Sequence, residues 1–250
     1  MRPHVLALVV ALLGALVVVG PGRAHAARFQ VQPTRVDLAG THHVGSLAVT
    51  NRSTEEVRFQ ITAMAWTESE DGTTGLTPTD ELVVYPSLFT LAPGDSRSVR
   101  VTSMASPGAR EVPYRIFVEE LPPLRTSPAP GPTRIRMLTR MAVPVFLPPE
   151  RERIAGDVRA RLLHDGLDLE LTNRGTAHVR VQAIRVIGEA HGAVTFDRST
   201  TGWYLLAGGA RRYHLPLSRP ERAALERVRI EVRTDRATWT TAVLAEPDAR

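Results

Sequence analysis

The stretch LAVTNRSTEEVRFQ (Leu47–Gln60) returns without a gap as LELTNRGTAHVRVQ (Leu169–Gln182). Eight of the fourteen positions are identical: Leu, Thr, Asn, Arg, Thr, Val, Arg and Gln. A second pair follows in the same order, LAPGDSR (Leu91–Arg97) and LAGGARR (Leu206–Arg212). Leu47 and Val49, like Leu169 and Leu171, alternate as the inward residues of a strand. Asn51-Arg52-Ser53 and Asn173-Arg174-Gly175 read as a hairpin turn, because Asn tolerates left-handed backbone and bonds its own main chain. Val-Arg-x-Gln then opens the returning strand. Two collinear matches imply two domains of one design.

Working outward, short alternating runs dominate from residue 28 onward: SLAVTN, EVRFQITA, ELVVYP, RSVRVT, YRIFVEE and RIRMLTRMAVPVF. Gly, Pro, Asn, Asp or Ser bounds each of them. Period-2 alternation with such frequent turn signals predicts antiparallel β-sandwiches. The one helical pattern, Arg219–Arg229, fits a short turn of helix before a strand. LPPLRTSPAPGP (Leu121–Pro132) reads as an exposed loop. Pro148-Pro149 ends a strong strand and a charged run follows, so the linker is expected over Pro148–Arg153. That divides the chain into residues 27–148 and 149–250.

The first 26 residues have the pattern of a secretory leader. MRPH is positive, Val5–Gly20 is apolar, and Ala24-His25-Ala26 is a small-x-small cleavage site, with the cut expected after about Ala26. No other run approaches the ~18 apolar residues of a membrane span, so the mature chain is expected to be exported and not inserted in a membrane. There is no Cys, which rules out thiol chemistry and Cys-based metal sites. All 31 basic residues are Arg, and the net charge is +5. The arginines are scattered, as biased codon usage would leave them, and nucleic acid is not an expected partner.

Catalytic signatures such as G-x-S-x-G, H-E-x-x-H, G-x-G-x-x-G and G-x-x-x-x-G-K-[ST] are absent from the sequence. His42-His43 is read as a surface pair, since adjacent strand residues point to opposite faces. Glu68, Glu70 and Asp71 are read as a solvated hairpin tip rather than an acid/base pair. Neither an enzyme nor a cofactor is expected.

The order of motifs is more specific. PTRVDL (Pro33–Leu38), SLAVTNRST and a return strand ending at Trp66 come first. LVVYPSLFTLAPGDSRSVRV (Leu82–Val101), PYRIFVEELPP (Pro113–Pro123) and RMLTRMAVPVFLPP (Arg136–Pro149) follow. The series resembles the periplasmic pilus-assembly chaperones of the chaperone–usher pathway. GWYLLAGGARRYHL (Gly202–Leu215) resembles the second domain of the branch related to spore-coat-U-type pili. The resemblance implies an all-β fold of two immunoglobulin-like sandwiches in tandem, at an angle, with a cleft between them.

It also implies a mechanism. Such a chaperone lends its last first-domain strand to a pilin-like subunit that lacks one of its own, then passes the subunit to an outer-membrane usher. The donor strand would carry Ile135, Met137, Thr139, Met141 and Val143. Two basic residues in the cleft would hold the subunit's C-terminal carboxylate. Arg35 matches the first; Val143 occupies the aligned position of the second, which leaves Arg140 or Arg100 as the candidate companion. Glu120 and Asp235 match acidic positions of the domain interface, while Leu147 stands where that interface expects a basic residue. The sequence leaves open whether the free protein caps its donor strand in a dimer. An exported two-domain adhesion or carbohydrate-binding module is the alternative.

Overall fold

The structure is a computed structural model that describes residues 29–38, 43–69, 73–124, 137–223 and 225–244. The expected leader (1–26), His42, Glu70, Asp71, Ile135 and most of the Pro-rich loop lie outside the described residues.

The first half contains β1 (Phe29–Gln32), β2 (Val36–Asp37), β3 (Val44–Asn51), β4 (Val57–Glu68) and β5 (Thr74–Pro78). It continues with β6 (Leu82–Tyr85), β7 (Leu88–Leu91), β8 (Ser96–Ser103), β9 (Val112–Leu121) and β10 (Arg140–Leu147). They form two sheets, one in the order β1-β3-β8-β6 and the other β2-β10-β9-β4-β5, with β7 also on β4. Leu47, Val49, Val99 and Val101 of the first sheet meet Phe59, Ile61, Ile116, Val118, Val143 and Val145 of the second in one core. The sequence alternation places one residue in two on this inner face.

The second half contains β11 (Gly156–Leu162), β12 (Gly166–Asn173), β13 (Val179–Ala190), β14 (Ala193–Thr200), β15 (Tyr204–Leu205) and β16 (Ala210–Pro216). A five-residue helix, α1 (Arg219–Ala223), precedes β17 (Arg227–Thr234) and β18 (Thr238–Leu244). Ser218 and Glu221 close the start of α1 as a capping box: the Ser218 N–H donates to Glu221 Oε2 at 2.8 Å, and the Glu221 N–H to Ser218 Oγ at 3.4 Å. The sheets are β11-β12-β16 and β14-β13-β17-β18, with β15 on β13. Their core is separate from the first and includes Leu169, Leu171, Val181, Ile184, Ile230 and Trp239.

The repeated octapeptide has a different role from the one its sequence suggests. It is not a hairpin, because β3 and β4 lie in different sheets, as do β12 and β13. It is the corner at which the chain crosses from one sheet to the other, and a buried Asn holds each corner. Asn51 Nδ2 donates to Glu55 O at 2.8 Å and Leu91 O at 3.0 Å. Asn173 Nδ2 donates to Ala177 O at 2.8 Å and Leu205 O at 3.0 Å. Each Oδ1 accepts the N–H two residues on, from Ser53 at 2.9 Å and Gly175 at 2.8 Å. The left-handed backbone belongs not to these asparagines but to Gly94 (φ 83°) and Gly208 (φ 77°), whose N–H groups donate to Asn51 O and Asn173 O. The second repeated motif is therefore offset by one residue from its sequence alignment. Hydrogen bonding equates Leu91 with Leu205, and Ala92 with Leu206.

Candidate functional site

The outer face of the β10-bearing sheet meets the second half. Along β4 the core residues are Val57, Phe59 and Ile61, so Trp66 and Glu68 point the other way. Phe146 does the same on β10. Trp66, Phe146 and Leu206 are buried together, with Tyr204 packed against them. Phe146 stacks on His178 at 3.6 Å between ring centroids.

Two carboxylates cross the same boundary. Glu111 accepts from the His178 N–H at 3.1 Å, and both its oxygens lie 2.9 Å from His178 Nδ1. The side chains are 5% and 1% exposed. Glu68, expected at a solvated tip, instead has its side chain 1% exposed. It accepts the Leu206 N–H at 2.9 Å and pairs with Arg211 Nη2 at 2.5 Å. The expectation failed because polarity and a nearby Gly mark a turn without showing what packs against it. Gly209 makes the approach possible, since a side chain there would press on Glu68 Oε2.

Arg35 lies just before β2. Its Nε bonds Asp37 at 3.0 Å, and Nη1 is 3.7 Å from Asp235 of the second half. Asp235 is itself fixed by Arg180, whose N–H donates to Oδ1 at 2.8 Å. Arg35 and Asp235 thus meet between the halves. Glu120 does not lie with them: its described bonds tie it to the start of the β10 segment, with Thr139 N donating to Oε2 at 3.2 Å and Thr139 O accepting the Glu120 N–H at 3.0 Å.

The candidate companions of Arg35 are placed elsewhere. Arg140 pairs with Glu119 at 2.6 Å and covers the Phe117 ring at 3.8 Å. It precedes Pro144, the neighbour of Arg35, by four residues, about 13 Å along a strand. Arg100 projects outward between buried Val99 and Val101 on the other sheet. Strand order cannot be read from local sequence, and it sets these three arginines apart.

The expected donor residues divide along the chain. Val143 is 1% exposed in the core of the first sandwich. Met141 is partly buried against the same core, and Thr139 is half-buried. Met137 is 81% exposed. On its free side β10 meets β2 only at Val145 and Phe146. Among the described residues nothing pairs with Arg140–Pro144 there. Leu38 N–H donates to Phe146 O on the β2 side, whereas Glu120 N–H donates to Thr139 O on the β9 side. Alternation then directs the main-chain groups of Arg140 and Ala142 to the open edge.

Tandem sandwiches with an aromatic and ionic seam, and one open strand at the junction, define a two-domain immunoglobulin-like architecture. Residues 28–152 match the family of pili and flagellar-assembly chaperones through its PapD N-terminal domain, and the chain belongs to that family. No curated protein matches by sequence.

Solved structures resemble it over nearly the whole chain. A chain of the CsuC–CsuE chaperone–tip adhesion subunit complex of Acinetobacter baumannii is 15% identical, with a TM-score of 0.60 over 86% of this chain and 98% of that one. A chain of the Salmonella enterica SafA pilin–SafB chaperone complex is 16% identical, with a TM-score of 0.58 over 88% and 98%. The YadV chaperone is 13% identical, with a TM-score of 0.60 over 87% and 100%. At such identities the likeness establishes the fold.

Proposed function

We propose that this protein is a non-enzymatic periplasmic chaperone that holds a pilin-like subunit by donor-strand complementation and delivers it to an outer-membrane usher. The observation that carries this reading is the open edge of β10, continued by the exposed Met137. An unpaired edge with apolar side chains is ordinarily a liability, and here it lies beside the seam between the halves. The family membership supports the reading, as do similar structures described as chaperones with a pilin or a tip subunit.

In this proposal the division between domains falls over Pro148–Arg153, between β10 and β11. The exchangeable part of the strand is Met137 to Met141, because Val143 is committed to the chaperone's own core. Each apolar side chain seated in a subunit groove would contribute roughly 1.5–3 kcal/mol before ordering costs. Methionines suit a groove that varies between subunits. Arg35 holds the subunit's terminal carboxylate, and Asp37 and Asp235 aim it.

Co-expression with a pilin-like subunit that is insoluble alone tests this. The chaperone should yield a soluble one-to-one complex. Met137→Glu should abolish it, because a charge does not enter an apolar groove cheaply. Met137 is so exposed that the free protein should keep its melting temperature. Failure to rescue any such subunit, or full rescue by Met137→Glu, would sink the proposal.

A further inference from the structure

The seam contains one cation without a carboxylate. Arg115 lies on β9 as the register partner of Pro144. Its neighbours Tyr114 and Ile116 are core residues, so its side chain leaves the outer face toward the second half. On the other side of Pro144 stands Arg35, one residue before Val36, which is the partner of Val145. Arg115, Pro144 and Arg35 therefore form one row across the sheet, with the two arginines about two strand spacings, roughly 10 Å, apart. Side chains of this length on one face can converge over the proline between them.

The surroundings of Arg115 are built for an anion. Its guanidinium lies 4.0 Å over the Trp66 ring and 5.9 Å from the half-exposed Trp203. Arg35 has Asp37 and Asp235, and Arg211 has Glu68. Among the described residues no carboxylate pairs with Arg115. Three buried polar atoms gathered here lack hydrogen-bond partners among the described residues: Arg115 Nε, Arg211 Nε and Tyr213 Oη. Burial, and then the nearby Arg211, pull the Arg115 guanidinium below its ordinary pKa, against an opposing effect of Tyr204. A partly buried cation held beside another cation is unfavourable until an anion joins it.

We infer that Arg115 is the second arm of a carboxylate clamp whose first arm is Arg35, and that Trp203 walls its mouth. Resting on the chaperone reading, the inference names the C-terminal carboxylate of the bound subunit as the ligand. Two guanidinium forks grip one carboxylate with more directional bonds than an ammonium offers. This also accounts for Val143 at the position where a basic strand residue was expected: the charge comes from the adjacent strand instead.

The test uses a pilin-like subunit that the wild-type chaperone keeps soluble, in its native form and with a two-residue C-terminal extension that moves the carboxylate. Affinity is measured for wild type and Arg115→Met against each form. With the native subunit, Arg115→Met should weaken binding about 10- to 100-fold. With the extended subunit, the variant and wild type should bind alike, because the interaction is already lost. Arg115→Lys should recover part of the loss and provides the reading should Arg115→Met misfold, which the near-ultraviolet signal of Trp66 and Trp203 would reveal. Wild-type affinity in both variants, or losses from variant and extension that simply multiply, would overturn the clamp while leaving the donor strand standing. If wild-type protein binds no subunit at all, the chaperone reading fails and the clamp with it.

Discussion

The two halves share a corner and differ at their edges. In each, a buried Asn joins the crossing between sheets to a glycine turn through the same set of bonds. The edge of the second half is guarded. Its edge strand β14 is exposed and carries Asp197 and Arg198, paired with Arg185 and Glu221. Charges of this kind deter strand addition. The β10 edge of the first half carries Ala142 and Pro144 and is preceded by exposed Met137 and Leu138. The repeat is thus the shared scaffold, and function is to be sought where the repeat stops. Leu206 makes the same point on a smaller scale. Its counterpart Ala92 is an exposed turn residue, whereas Leu206 is buried against Trp66 and Phe146.

The comparison can be broken first at its common element. Asn51→Ala would leave the carbonyls of Glu55 and Leu91 without their amide donor, and Asn173→Ala would do the same to Ala177 and Leu205. Each variant should lose about 4 kcal/mol, and the two losses should be similar. Urea unfolding measures both. A loss at only one site would show that the corners are alike in shape but not in energy.

Next is the seam that makes the halves unequal. His178→Ala removes the partner of a buried carboxylate and the ring stacked on Phe146. A loss of about 3 kcal/mol is expected, mostly from Glu111 left buried and unpaired. It should also separate the unfolding of the two halves if they melt together in the wild type. Calorimetry with an unchanged midpoint would show that the pair contributes nothing to docking.

The sandwiches, the inward alternation and the tandem repeat were legible because period-2 patterning is local. Leu47, Val49, Leu169 and Leu171 are as buried as their parity requires. The motif order also gave the family. What was not legible depends on strand order. The corner looked like a hairpin because sequence shows two strands and a turn, not which sheet each joins. Glu68 looked solvated because its partner Arg211 is far away in the chain. Arg115 was passed over because an Arg amid an apolar run reads as an outward strand residue, which it is; only its outward side is covered by another domain. A basic residue within an apolar strand, beside a family motif lacking its expected cation, was the available signal.

The smallest expected effect concerns equivalent faces of the two halves. Where β3 faces β8, Ala48 opposes Ser98 and Thr50 bonds Ser96 at 3.0 Å. The matching positions of β12 and β16 are charged: Asp168 opposes His214 and Glu170 opposes Arg212. His214 Nδ1 lies 2.7 Å from Asp168, and that hydrogen bond raises the His214 pKa above its ordinary 6.5. A group whose folded pKa is raised contributes stability fully below its unfolded pKa and loses it as pH rises through the folded value. The pair should therefore contribute at pH 6 and fade above neutrality, in the second half alone. Being exposed, it should shift the melting temperature little. NMR titration is the sharper measurement: the His214 midpoint should lie above 6.5 and fall back toward it in Asp168→Asn. If the midpoint is the same in the variant, the contact does not persist in solution, and the charged face of the second half is no more pH-sensitive than the neutral face of the first.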